Sequence, residues 1–221
     1  MELFEAILSR RSSYKFKKKT ISYNILFDIL TAGYSAPAVG NIHSTSIIIV
    51  ESDKLKAKIT ESSDKQSWML SAPVFLVVCS DSSNLKKLYS DRGIKLFSIQ
   101  NSAAIIENML LAARKFGLQG TWIGAFSEDK IKSILSIPKK IDVHAIVALG
   151  YPDDFPETKS EIPALHRTFY EKWSAEVKAE KILPLAESRL IKETRAKLNK
   201  KSENFKKRLT KKLGKTINYF K

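Results

Sequence analysis

The sequence predicts an α+β domain, in which short apolar strands are interspersed with one-sided helices, followed by a basic helical extension. Three observations carry this expectation. Runs such as TSIIIVES and APVFLVVCSD are β-branched and aromatic and are bounded by polar residues. Between them lie segments whose apolar residues recur every three or four positions, and helices laid on strands build a domain of two or three layers. The charge is also uneven. From Leu185 to Lys221 there are 13 Lys or Arg against 3 Glu, a net of +10, which leaves +5 of the total +15 for residues 1–184.

Taken in order, ELFEAILSRR opens the chain as a helix with Leu3, Phe4, Ile7 and Leu8 on one side. SYNILFDILTAG repeats the pattern with Ile25, Leu26, Ile29 and Leu30, from a cap at Ser22 to a stop at Gly33. TSIIIVES and APVFLVVCSD are continuously apolar, which predicts strands buried on both faces. SIQNSAAIIENMLLAARKFG is the longest helix, with Ile99, Ala103, Ile106, Leu110 and Ala113 on one stripe and Gly117 at its C-terminal cap. The small residues of that stripe would let a neighbour approach closely. GTWIGAF reads as a strand with Trp122 in the core. SEDKIKSIL reads as a helix capped by Ser127, with Glu128 and Asp129 offsetting the charge of its first turn, and VHAIVALGYP as a closing strand. Beyond Trp173, Ala186, Leu190, Leu198, Phe205, Leu209, Leu213, Ile217 and Phe220 form one stripe of a long helix facing away from a field of lysines. The expected organisation is therefore a domain over residues 1–173 and an amphipathic extension over residues 174–221.

At 221 residues and 43% hydrophobic composition the chain can bury one sizeable core. No apolar run approaches the length of a membrane span, and MELFEAILSRR lacks a basic segment followed by an apolar one, so a soluble, cytoplasmic protein is expected. The single Cys79 rules out an internal disulfide and a Cys-based metal site. His43, His144 and His166 show no ligand spacing, so no metal is expected, and His144 reads as a satisfied residue of the sheet. GxGxxG, GxxxxGK[ST], HExxH and GxSxG are all missing.

What remains is RRSSYKF. Arg10 and Arg11 can each fork two N–H donors onto phosphate oxygens, and Ser12 can add a hydroxyl and a backbone N–H. The same two arginines can equally be solvated cations at the C-terminus of the first helix.

RRSSYKF resembles the R-R-S-x-R-x-F opening of the FMN-dependent nitroreductase family, and SAPAVGNIHS resembles its A-P-S-A-G-N-x-Q-P. QSWMLSAPVFLVV is similar to the Q-x-W-x-x-x-A-P segment, IENMLLAARKFGLQGTWIGAF to the N-M-L-L-A-A-x-x-x-G-L-G-x-x-W-I-G-G-F block, and LGYP to the strand end that follows. The five blocks occur in the family's order over roughly residues 1–170.

The resemblance implies a nitroreductase-like fold: a central mixed or antiparallel sheet flanked by helices, in a homodimer built around the long helix of residues 98–116. It implies FMN as cofactor and NADH or NADPH as hydride donor, with electrons passed to a small nitro compound, quinone or enone by alternating binding at one flavin face. Such chemistry belongs to the cofactor, so no catalytic side chain is expected. Arg10, Arg11 and Ser12 match positions that bind the ribityl chain and phosphate. Tyr14 stands where the family has a further basic residue, which leaves Arg167 to supply more of the charge. Pro37, Ala38 and Asn41 match a loop that reaches the flavin of the partner subunit, and His43 and Ser44 there replace the family's Gln and Pro. Gln66 matches a contact to the pyrimidine rim. Gly124 and Ala125 match a turn against the isoalloxazine edge that offers a backbone N–H towards N5. Residues around Leu85 to Phe97, where the family varies between subgroups, are expected to contribute to a substrate lid.

Other activities on the same scaffold, reductive dehalogenation or flavin reduction for a partner enzyme, remain open, as does a flavin-storing role. For residues 185–221, a helix packed on the dimer and a surface that meets anionic membrane or nucleic acid are equally compatible with the sequence.

Overall fold

The run VFLVVCS forms β2 (Val74–Ser80) in the computed structural model, and every residue of it is buried. A strand with no polar side needs cover on both faces. Together with β1 (Thr45–Val50), β3 (Gln119–Ile123) and β4 (Asp142–Gly150) it makes a sheet of order β1–β2–β4–β3. All three pairings are antiparallel, within the mixed or antiparallel sheet expected. The structure describes residues 1–64, 66–153, 167–175, 192–194, 196–200 and 203. The chain divides into two compact units, Arg10–Glu157 and a second made of Met1–Ser9 with Thr158–Lys221.

In the larger unit, β2 sends Val74, Leu76 and Val78 to one side and Phe75, Val77 and Cys79 to the other. Helices α2 (Tyr23–Tyr34) and α5 (Ser98–Lys115) cover the first side. Helices α3 (Asp53–Glu61) and α6 (Glu128–Leu135) cover the second through Ile59 and Ile131. The architecture is therefore helix, sheet, helix. Cys79 is buried as expected, and that burial pushes its thiol up to about 11, which keeps it protonated.

Several sequence expectations give way to packing. Gly33 does not stop α2 but lies buried inside it, because a Cβ there would sit 2.6 Å from Met109 Cγ and 3.2 Å from Ile105 Cγ2 of α5. Its hydrogen side chain is what lets the two helices meet. On α5 the buried face runs through Asn101, Ser102, Ile105, Ile106, Met109, Leu110 and Ala113, whereas Ile99 is 50% exposed and Ala103 only half-buried. β1 is an edge strand, so Ile47, Ile48 and Ile49 are half-buried and Ser46 is exposed, not covered on both sides. β3 is the opposite edge and ends at Ile123, leaving residues 124–126 as a turn and Trp122 43% exposed instead of in the core. The Ser127 side chain makes no capping bond, although Glu128 and Asp129 do occupy the first turn of α6.

Other expectations hold. Gly117 ends α5 with φ +73°, and the N–H of Gly117 and of Leu118 donate to the carbonyls of Arg114 and Ala113. His144 is a satisfied sheet residue. It is the extra residue of a bulge, since Val143 opposes Cys79 and Ala145 opposes Val78, and its Nδ1 lies 2.8 Å from Ser102 Oγ.

The region between β2 and α5, expected to act as a lid, consists of α4 (Ser83–Arg92) and a π-helical turn, Gly93–Phe97. In the second unit, α1 (Leu3–Ser9) buries none of its residues. Phe169 and Trp173 rings lie 5.0 Å apart, and residues 192–194 and 196–200 are helical. Of the basic extension only residues 174–175, 192–194, 196–200 and 203 are described, and His166 also lies outside the described residues. Among the described residues no helix is long and apolar enough to cross a membrane.

Candidate functional site

The segment after α1 runs extended along the sheet and is fastened at three points. Thr121 Oγ1 of β3 donates to the Ser13 carbonyl at 2.7 Å, Phe16 N–H donates to Ser71 Oγ at 3.2 Å, and Phe16 forms an isolated bridge with Pro152 beyond β4. Together these contacts hold the segment beside β3 and the end of β4.

Arg10, Arg11 and Ser12 are half-buried there. Arg10 Nε lies 3.7 Å from Glu107 Oε1, on a part of α5 that faces solvent. Arg11 Nη1 donates to the Arg10 carbonyl at 2.8 Å. Burial, and then the neighbouring Arg10 charge, hold the Arg11 guanidinium below its ordinary value. Two guanidiniums kept side by side and partly out of water make a local positive potential that an anion would relieve.

The ring of contacts closes through the turn Ser67–Ser71. Tyr14 meets Trp68 edge to face at 4.9 Å, and Gln66, at the start of that turn, donates through Nε2 to the Ala125 carbonyl at 3.4 Å. Ser127 N–H donates to the Ser62 carbonyl at 2.8 Å and so holds the far end of the turn after β3. Gly124, within it, is exposed, and a Cβ there would meet nothing within 4 Å. Two contacts thus tie residues singled out by the sequence to the turn Ser67–Ser71 and the turn after β3, Tyr14 to Trp68 and Gln66 to Ala125, while Arg10, Arg11 and Ser12 lie on the same segment as Tyr14.

Pro37, Ala38 and Asn41 form a separate group. Ala38 leads into a single 3-10 turn, Val39–Asn41, in which Gly40 and Asn41 both have φ +58°. Such a conformation in Asn needs support. Asn101, 3% exposed on α5, supplies it: its Oδ1 accepts from Val39 N–H at 2.9 Å, and its Nδ2 donates to the Ile42 carbonyl at 3.0 Å. Arg167 is an exposed residue of the second unit.

Sequence reasoning missed Asn101, Thr121, Trp68 and Glu107. The first left a signal, since Asn101 and Ser102 are polar residues on a face that continues as Ile105, Ile106, Met109, Leu110 and Ala113. Among the described residues no group of three His, Cys, Asp or Glu could hold a metal ion.

A helix–sheet–helix domain with a basic corner beside its edge strand is the class to which the comparisons also lead. The family model described as "Nitroreductase family" matches residues 7–66 and 63–151. The chain belongs to the nitroreductase family. It is 29% identical over 178 residues to the NADPH-flavin oxidoreductase of Vibrio harveyi, across 76% of this chain and 74% of that one. The solved NADPH:FMN oxidoreductase from Vibrio harveyi, complexed with NAD+, superposes with a TM-score of 0.72 at 27% identity, covering 82% of this chain and 81% of that one. A nitroreductase family protein of Clostridium novyi NT gives 0.64 at 30% identity, over 80% and 97%.

Proposed function

We propose that the protein is a cytoplasmic, homodimeric FMN-dependent oxidoreductase that takes a hydride from NADH or NADPH and reduces a small organic acceptor, a nitro compound, quinone or enone. The single observation that supports this is the half-buried Arg10 and Arg11 pair on the segment whose Tyr14 packs on Trp68, beside the turn where Gln66 holds the Ala125 carbonyl. The Vibrio harveyi relative and its NAD+ complex support the reaction class.

The residues fit the group. A phosphate monoester dianion asks for forked donors, and the paired guanidiniums with the Ser12 hydroxyl supply them. A flat ring needs backbone it can approach, and the open space in front of Gly124 allows that. Arg10, Arg11 and Ser12 would hold the phosphate and ribityl chain, with Arg167 as a further cation. Gln66 would give its remaining hydrogen-bonding capacity to the pyrimidine rim while its Nε2 stays on Ala125. The Gly124 and Ala125 turn would carry the backbone N–H beside the ring, and Pro37, Ala38 and Asn41 would reach the site of the partner subunit. When bound, FMN supplies the redox chemistry between donor and acceptor, so the protein's own task is to orient the ring and leave one face open.

The test is spectral. Purified protein, reconstituted with FMN, is expected to show a flavin band that bleaches anaerobically with NADH or NADPH and returns on adding a quinone or nitroarene. Protein that cannot be loaded with FMN would overturn the reading.

A further inference from the structure

A cleft of about 520 Å³ opens beside the Asn41 turn, lined by Asn41, Ile42, His43, Asn84, Lys87 and Leu88. That volume is within the roughly 300–1,000 Å³ of ligand clefts. One wall is fixed by the double hydrogen bond of Asn101, described above, and by Tyr89, whose hydroxyl lies against Gly40. The other wall is a single face of α4, because Asn84, Lys87 and Leu88 are spaced three and four residues apart.

The lining has a definite chemistry. It offers one cation, an imidazole, two carboxamides and two aliphatic side chains, and no carboxylate. Leu88 is 68% exposed, which sets an apolar surface next to the charged one. The nearby acid, Asp81, accepts from Ser83 N–H and hydroxyl and is paired with Lys140 Nζ at 3.0 Å. The Ser83 hydroxyl bond, then that to Lys140, hold its carboxyl at about 2, so its charge is engaged by those partners. A ligand suited to this lining is anionic at one end and apolar at the other.

We propose that this cleft seats the phosphate groups of the nicotinamide nucleotide, with Lys87 as the charged contact and Asn41, His43 and Asn84 as hydrogen-bonding neighbours. The inference rests on the oxidoreductase reading, and it places donor recognition on the same turn that carries Asn41 toward the partner's flavin site. Two phosphate sources share this chemistry, the diphosphate common to NADH and NADPH and the 2′-phosphate of NADPH alone.

Calorimetric titration of FMN-loaded protein with ADP and with 2′,5′-ADP separates them. Lys87→Met is expected to weaken binding by about tenfold, the loss of one charge-assisted contact, with Lys87→Arg close to wild type and FMN content unchanged. Weakening of both probes assigns the cleft to the diphosphate, and weakening of 2′,5′-ADP alone assigns it to the 2′-phosphate. Equal affinity of wild type and Lys87→Met for both probes, or binding of neither probe by wild type, overturns the proposal. Flavin bleaching is scored separately. If neither NADH nor NADPH bleaches the loaded protein, the oxidoreductase reading falls, while the two titrations still decide whether the cleft takes a nucleotide phosphate.

Discussion

Arg10 sits between two claims on its charge. Glu107 is 3.7 Å away, too far for a good hydrogen bond, and its side chain is 51% exposed, so water and salt screen the attraction. A flavin phosphate dianion would offer shorter and forked contacts to a group already partly desolvated. Arg10→Ala is therefore expected to weaken FMN binding by about 10- to 100-fold, the range for a hydrogen bond to a charged group. Glu107→Gln is expected to leave it unchanged or slightly tighter. Fluorimetric titration of apoprotein reads both, and wild-type affinity in Arg10→Ala would remove Arg10 from the site. The pair Arg10 and Arg11 was legible because RRS is a local string whose donors suit phosphate. Glu107, Thr121 and Trp68 were not, since each becomes a neighbour of residues 10–14 only once β3, α5 and the turn Ser67–Ser71 have packed.

At the scale of elements, the bulge in β4 sets a half-buried titratable group against α5. His144 Nδ1 lies 2.8 Å from Ser102 Oγ, which in turn lies 3.1 Å from Thr45 Oγ1. Burial holds the imidazole below its ordinary value, against the opposing pull of the Asp142 and Glu128 carboxylates. Lys132 Nζ at 2.8 Å and Val143 N–H at 3.0 Å both engage Glu128. The unfolded chain then binds a proton more readily than the folded one. Stability from this group is present above the unfolded imidazole value of about 6.5 and declines as pH falls below it. Melting temperature is expected to drop as pH falls below about 6.5, and His144→Gln, which keeps a partner for Ser102, should flatten that stretch of the profile. Parallel profiles would sink the assignment. Such elements also mark where reading the sequence stopped. β2, α5 and β4 announce themselves because burial on both faces, or on one stripe, imposes a pattern on composition. Strand order does not, and so Trp122 looked like core until β3 proved to be an edge. Gly33 looked like a helix stop because propensity favours that, whereas contact with Met109 and Ile105 gives it a different purpose.

For the whole molecule, the open questions are assembly and the basic extension. A homodimer is expected in sedimentation at micromolar concentration, and a monomer holding stoichiometric FMN would contradict it. Removing residues 185–221 takes away a net charge of +10 and none of the residues proposed for flavin. FMN content and bleaching are expected to survive, while any binding to anionic vesicles or nucleic acid falls and is steeply salt-dependent in the full-length chain. Lower thermal stability with undiminished anion binding would instead make the extension a clamp on the dimer. The sheet order also bears on how the protein is made. β2, apolar throughout, has β4 as one of its two partners, yet Ser80 and Asp142, which end opposite each other, are far apart along the chain. Roughly sixty residues must be synthesised between them, which at ~5–20 residues per second takes about 3–12 s. During that interval the nascent chain can offer β2 only its antiparallel pairing with β1, and one long edge of Val, Phe and Leu stays open to any passing strand. Cells that translate this protein slowly are therefore expected to need a chaperone at the ribosome, and slower translation of residues 81–141 should raise the fraction recovered as aggregate.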